Sequence, residues 1–339
     1  MNEKINSKCL FTSIVSLSGA SFYSVYSSYL LKTSLTDSII SMILGYLISL
    51  IFLKIIFNFF DKNGLENKSK FTKFILVILS LIIYSLFAYR LCSFLSTQYL
   101  LDRPKIIIMS MICLLTYYIA SKGFETIARV SIISFIVGIV LLTFDIIFLS
   151  KEINISNFFP MFISKPINII KPALMYSVLF SGPVFYINYV SKDNISDKEN
   201  IKKYFYISSF VSFIITLLCL ITTIGVLGVD LCNMFDYPLY TVLKKISVFN
   251  FLESIENVGM MIWFLYIINA SSITLYFSLK LFNEIFNVKN KRSNIFILLL
   301  CIVSPLILFS NNIFVETYKY LLIPFSILLT IILINLKTK

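Results

Sequence analysis

The chain has 339 residues, of which 58% are hydrophobic and 14% charged, and its mean hydropathy is +0.89. Such a composition excludes a soluble domain with a polar surface. The net charge of +12 does not indicate nucleic acid, because Lys and Arg gather in alternate loops of an otherwise apolar chain, which is a topological pattern.

A hydrocarbon core about 30 Å thick needs roughly 20 apolar residues per helix. Stretches of that kind fall near 12–31, 37–58, 72–98, 105–121, 128–149, 173–190, 203–228, 257–282, 294–310 and 318–336. The reading is an all-α polytopic membrane protein of about ten transmembrane helices. The first apolar segment is long, interrupted by serines and without a small-x-small cleavage site, so it is expected to stay in the mature protein. Lys4, Lys8, Lys62, Lys68, Lys70, Lys73, Lys122 and Arg129 fall in one set of loops, against the sparser Lys32, Arg103, Lys105 and Lys151 in the other. That bias predicts that both termini are cytoplasmic.

The spans group as five plus five, with 1–150 as a first half and 151–339 as a second half of a single transmembrane domain. An odd number of helices per half places equivalent halves in opposite orientation, so the grouping predicts an inverted repeat. In transporters built this way the first helix of each half is commonly broken near the bilayer midplane, where it exposes backbone groups to substrate. Span one is rich in serine, with Ser13, Ser16, Ser18, Ser21, Ser24, Ser27 and Ser28 around Gly19. Span six carries Phe180-Ser181-Gly182-Pro183 near its middle, and Pro183 cannot donate the hydrogen bond that continues a helix. The matched positions predict a ligand site that includes Ser18, Gly19, Ser21, Phe180, Ser181 and Gly182. Ordinary close packing of small residues is the competing reading.

Arg90 lies within span three, where a buried arginine must find water, a carbonyl or an acid. An anion contact and snorkelling to the headgroups both remain open. Asp145, near the end of span five, reads as a solvated helix end, with pairing to Arg90 as the alternative. In span eight Asn269, Ser272 and Tyr276 share one face. Asn269 and Ser272 are candidate ligand contacts, against a purely interhelical role. The six cysteines are scattered without the spacing of a metal site or a disulfide framework, and histidine is absent. No catalytic group, metal or cofactor is therefore expected.

Three strings are more specific than periodicity. They are Tyr237-Pro238 through Ile246, Phe251, Leu252, Glu253 and Glu256 before Trp263; Gly123-Phe124-Glu125 through Ala128-Arg129; and Asn157-Phe158-Phe159-Pro160. Together they resemble the spore germination permeases, the B subunits of nutrient germinant receptors, within the amino-acid and polyamine permease superfamily. The resemblance implies a leucine-transporter-like fold with broken helices one and six, a spore inner-membrane location, and partnership with an A subunit and a C lipoprotein. It also implies sensing of a small nutrient, usually an amino acid, sugar or nucleoside, to trigger germination. A secondary amino-acid transporter of the same superfamily fits the same residues. The short chain and serine-rich first span depart from the family pattern and leave ligand identity open.

In physical terms Asn250 and Glu253 are spaced as a helix cap and its reciprocal partner, and Glu125 and Arg129 are spaced to pair on one helix face. Gly182→Leu should abolish the nutrient response of spores while the protein still accumulates in the membrane, because the side chain fills space a ligand would use. An unchanged nutrient sensitivity would place the site elsewhere.

Overall fold

The computed structural model describes residues 7–63, 70–191, 198–246, 256–286 and 291–308, with side chains for all of these except 7, 25, 59–63, 72, 179–191, 198, 256, 291–296 and 308. The helices are α1 (Ser7–Ser21), α2 (Ser27–Ser34), α3 (Ser38–Asn63), α4 (Lys70–Gln98), α5 (Lys105–Ser121) and α6 (Phe124–Leu149). They continue with α7 (Pro166–Ser191), α8 (Ile201–Met234), the short α9 (Pro238–Leu243), α10 (Glu256–Phe286) and α11 (Lys291–Leu308). No strand occurs among the described residues. Span ten and the Asn250–Glu253 cap lie outside them.

The polarity of these helices is inside out. On α6 the large residues Ile133, Ile136, Val140 and Ile147 are exposed, whereas Ser131, Ser134, Gly138 and Asp145 are buried. A solvent of hydrocarbon selects this arrangement, since small and hydroxylated residues pack helix against helix while aliphatic ones face lipid. Five stretches among the described residues are long and apolar enough to cross a membrane, with Lys105–Ser121 and Ile297–Ile307 as shorter apolar helices. The protein is an integral, multi-pass membrane protein.

α10 is the hub, packed against α1, α4, α5 and α6, while α1 also contacts α6, α7 and α8, and α3 lies along α7. Hydroxyl pairs join the helices: Ser80 with Ser278 at 2.6 Å, Tyr84 with Thr116 at 3.1 Å, and Ser85 with Ser304 at 2.8 Å. Bonds of this kind contribute about 1 kcal/mol each in a membrane interior. Residues of the first 150 positions therefore interleave with later ones.

Irregular backbone inside such a bundle must be satisfied by other protein groups. α1 passes into α2 through a π-helical turn, Phe22–Tyr26, and the freed Ser24 carbonyl accepts a hydrogen bond from Arg90 Nε. α8 is interrupted at Gly228, whose φ of +72° suits a residue without Cβ. Just before it, the Gly225 carbonyl accepts from the Asn154 amide at 2.9 Å and from Asn157 Nδ2 at 2.8 Å. Asn157, from the Asn-Phe-Phe-Pro string, thus caps a broken helix.

The corner between α2 and α3 follows the same rule. Leu35 has φ +50°, a sparsely populated conformation that costs about 1–3 kcal/mol for a side-chain-bearing residue. Asp37 is fully buried at the start of α3 and accepts from the amides of Phe162 at 2.6 Å and Ser164 at 2.8 Å. Thr36 Oγ1 donates to the Pro160 carbonyl at 2.6 Å and Ser164 Oγ to the Ser34 carbonyl at 2.8 Å. The 160–164 segment is thereby tied to the bundle. Asp37→Ala should lower stability on the order of 3 kcal/mol and open this segment to protease. Thermal unfolding and limited proteolysis in detergent check this, and intact protection of the segment would contradict it.

Candidate functional site

A cavity of about 60 Å³ opens where the π-turn meets α6, α8, α9 and α10. From the π-turn side come Tyr23 and Ser27, from α6 Asp145, from α8 Cys219, Thr222 and Thr223, and from α10 Gly259 and Trp263. The Asp236–Leu243 segment closes one side, with Tyr237, Pro238 and Tyr240 on the lining. Pro238 stands at the first turn of α9, where its missing N–H and fixed φ suit a helix start.

Aromatic rings hold this wall. Phe94 on α4 packs edge-on against Tyr237 at 5.0 Å, Tyr240 at 5.1 Å and Trp263 at 4.4 Å between centroids. Tyr237 donates to Ser93 Oγ at 3.2 Å, and the Arg90 guanidinium sits 5.1 Å from the Tyr237 ring centroid. Arg90 therefore joins two irregular elements, the Ser24 carbonyl of the π-turn and the Tyr237 ring. Among the described residues it forms no ion pair with Asp145.

Asp145 departs from the sequence expectation of a solvated helix end. It is only 9% exposed and faces the cavity. The signal was present in the sequence: Ser131, Ser134, Gly138 and Asp145, at steps of three, four and seven, occupy one helical face. α6 turns that face inward.

The irregularity of helix one lies at 22–26, three residues beyond Gly19, because the π-turn forms where Arg90 can take the released carbonyl. Gly19 itself remains helical. A Cβ there would stand 2.5 Å from Cδ2 of Tyr266, and one on Gly138 would stand 2.6 Å from the Tyr266 hydroxyl. The Tyr266 ring occupies a slot that two glycines, on α1 and α6, leave open. Asn269 Nδ2 bonds to Ser131 Oγ at 2.6 Å, which in turn meets Ser13 Oγ at 3.0 Å, joining α10, α6 and α1. Ser272 and Ser21 donate to carbonyls of their own helices, Ile268 and Leu17, and Ser18 Oγ is buried without a hydrogen-bond partner. Ser18, Gly19, Ser21, Arg90, Asn269 and Ser272 do not line the cavity described above. The backbone is helical throughout α7, including 180–183, and the side chains of Phe180, Ser181 and Pro183, with the surroundings of Gly182, lie outside the described residues.

Comparison with known proteins agrees with the sequence strings. A family model described as spore germination protein matches residues 4–314. The chain belongs to the spore germination protein family. A relative is spore germination protein KB of Bacillus subtilis (strain 168), 28% identical over 165 residues, which cover 46% of this chain and 42% of that protein. The match thus spans less than half of either chain. In this family member the Tyr237-Pro238 string has a direct structural role as the cavity wall, and Gly123, with φ +99° ahead of α6, marks a turn that glycine adopts without strain. Glu125 and Arg129 pair at 2.5 Å on the surface.

The glycine slot makes a testable pair. Gly19→Ala should destabilise the protein by about 1–3 kcal/mol through overpacking, and Tyr266→Ala in the same chain should remove most of that penalty. A double-mutant cycle on thermal stability in detergent measures the coupling, and additive effects would show that the ring does not depend on the glycine.

Proposed function

We propose that this chain is the nutrient-sensing membrane subunit of a spore germinant receptor, which binds a small molecule, an amino acid foremost, to trigger germination. The observation that carries the reading is the cavity at the π-turn of helix one. It is built from four other helices, so that an occupant there bears on α6, α8, α9 and α10 together. A site at the junction of several packed elements has the geometry for converting binding into a change of helix arrangement. Membership of a germination protein family gives that change its physiological meaning.

The volume suits a compact ligand. At roughly 10–15 Å³ for each water-sized occupant, about 60 Å³ takes a small zwitterion more readily than a disaccharide. An A subunit and a C lipoprotein complete the receptor in this reading, in the spore inner membrane with both termini cytoplasmic. A five-plus-five inverted repeat of leucine-transporter type is supported by the packing of helix one on α7 and by the superfamily resemblance.

Spores lacking this gene should lose their response to one nutrient class and keep their response to others, and complementation should restore it. A germinant panel scored by loss of optical density measures this. Normal responses across the whole panel would overturn the receptor role, and uptake of labelled amino acid into vesicles holding this chain alone would assign it transport instead.

A further inference from the structure

Asp145 is the cavity group whose charge the fold leaves without compensation. Its carboxylate oxygens lie 3.2 Å from where a Cβ on Gly259 would stand, so the absence of a side chain at position 259 eases the close approach of α10. Among the described residues Asp145 makes no hydrogen bond or ion pair. A buried carboxylate in that condition is costly, and intramembrane carboxylates are found paired with cations or on ligand and proton pathways.

The other polar groups of the lining show what the cavity accepts. Thr222 and Thr223 direct their hydroxyl hydrogens to the carbonyls of Leu218 and Cys219, which leaves their oxygen lone pairs as acceptors. Tyr237 donates its hydroxyl hydrogen to Ser93. The cations nearby are engaged or outside: Arg90 holds the Ser24 carbonyl, Lys32 pairs with the rim residue Asp236 at 3.8 Å, and Lys244 lies over the Tyr240 ring at 4.5 Å. Among the described residues no lysine or arginine lines the cavity. The remaining walls are mostly aliphatic, with four aromatic side chains, Tyr23, Tyr237, Tyr240 and Trp263, among them; aromatic faces attract cations, and among the described residues the Trp263 Nε1 hydrogen is a donor left without a partner.

We propose that the cavity is a site for the ammonium group of a compact ligand, held by the Asp145 carboxylate, the acceptor oxygens of Thr222 and Thr223, and the faces of Trp263 and its neighbouring tyrosines. The inference rests on the receptor reading only in taking that ligand to be the nutrient. The amine is the required group and the ligand's carboxylate is secondary, because the lining sets a carboxylate and two threonine acceptors against the single neutral indole donor of Trp263. Gly259 keeps the carboxylate accessible from α10.

The chain contains a single tryptophan, Trp263, and it lines this cavity. Its fluorescence in the purified full chain therefore reports occupancy directly. L-alanine and its decarboxylated analogue ethylammonium should each give a saturable change, and the deaminated analogue propionate should give none. Asp145→Asn, which keeps the shape and removes the charge, should weaken ethylammonium binding by about 10- to 100-fold. Gly259→Ala, which sets a methyl against both oxygens, should weaken it with the charge still present and so separates access from charge. Unchanged binding in Asp145→Asn, propionate binding equal to ethylammonium, or equal saturation by sodium chloride alone would overturn the site. If ethylammonium binds as stated but spores without the gene respond normally to all nutrients, the receptor reading fails and the ammonium site stands. If those spores lose a response but Asp145→Asn restores it fully and binds ethylammonium normally, the receptor reading stands and the ammonium site fails.

Discussion

The hydrogen bond from Arg90 to the Ser24 carbonyl is the contact on which the rest of the site depends. A π-turn releases backbone groups that lipid cannot satisfy, and a half-buried guanidinium within a span needs an acceptor, so each lowers the other's cost. Because Arg90 also lies over the Tyr237 ring, the irregular part of helix one and the wall formed by α9 are held by one side chain. The same constraint recurs at Gly225, capped by Asn154 and Asn157, and at the 162–164 amides, received by Asp37. Each of these three departures from regular helix has a named polar partner.

Close packing by small residues supplies the second level of organisation. Water is not available to drive helices together in a bilayer, so close approach and interhelical hydrogen bonds take its place. Gly19 and Gly138 admit the Tyr266 ring, and Gly259 admits the Asp145 carboxylate. The Ser13, Ser131 and Asn269 chain ties α1, α6 and α10 around them. Serine on span one is therefore largely a packing residue, and the glycines decide where large side chains are accommodated.

The chemistry of the cavity follows from which donors the fold has already used. Helix backbone carbonyls take the threonine hydrogens, Ser93 takes that of Tyr237, and the arginine faces the π-turn. Among the described residues, what is left is the unpaired Asp145 carboxylate, the acceptor oxygens of Thr222 and Thr223 and the free Trp263 Nε1 donor, set in aliphatic and aromatic walls. Under the proposal above, that pocket holds the amine of a small nutrient, and its position between several helices gives binding a route to the bundle as a whole.

The sequence by itself determined the solvent of this protein, the positions of its spans and its family. The reason is local: twenty-residue apolar stretches and the Gly123 and Tyr237-Pro238 strings are properties of neighbouring residues, and for the first nine spans the observed helices follow them within a few positions at most ends. The buried face of α6 was also legible, since Ser131, Ser134, Gly138 and Asp145 share a helical stripe, although Asp145 alone looks like a helix end. The position of the irregular turn in helix one was not legible. Gly19 offers conformational freedom, but the turn forms at 22–26, where Arg90, distant in sequence, reaches a carbonyl. Likewise Asn269, polar at mid-span, takes Ser131 as partner, and Asp37 binds a loop more than a hundred residues away. Partners from separate helices decided those outcomes, because a polar group in an apolar bundle goes to the nearest complement that the tertiary packing brings to it.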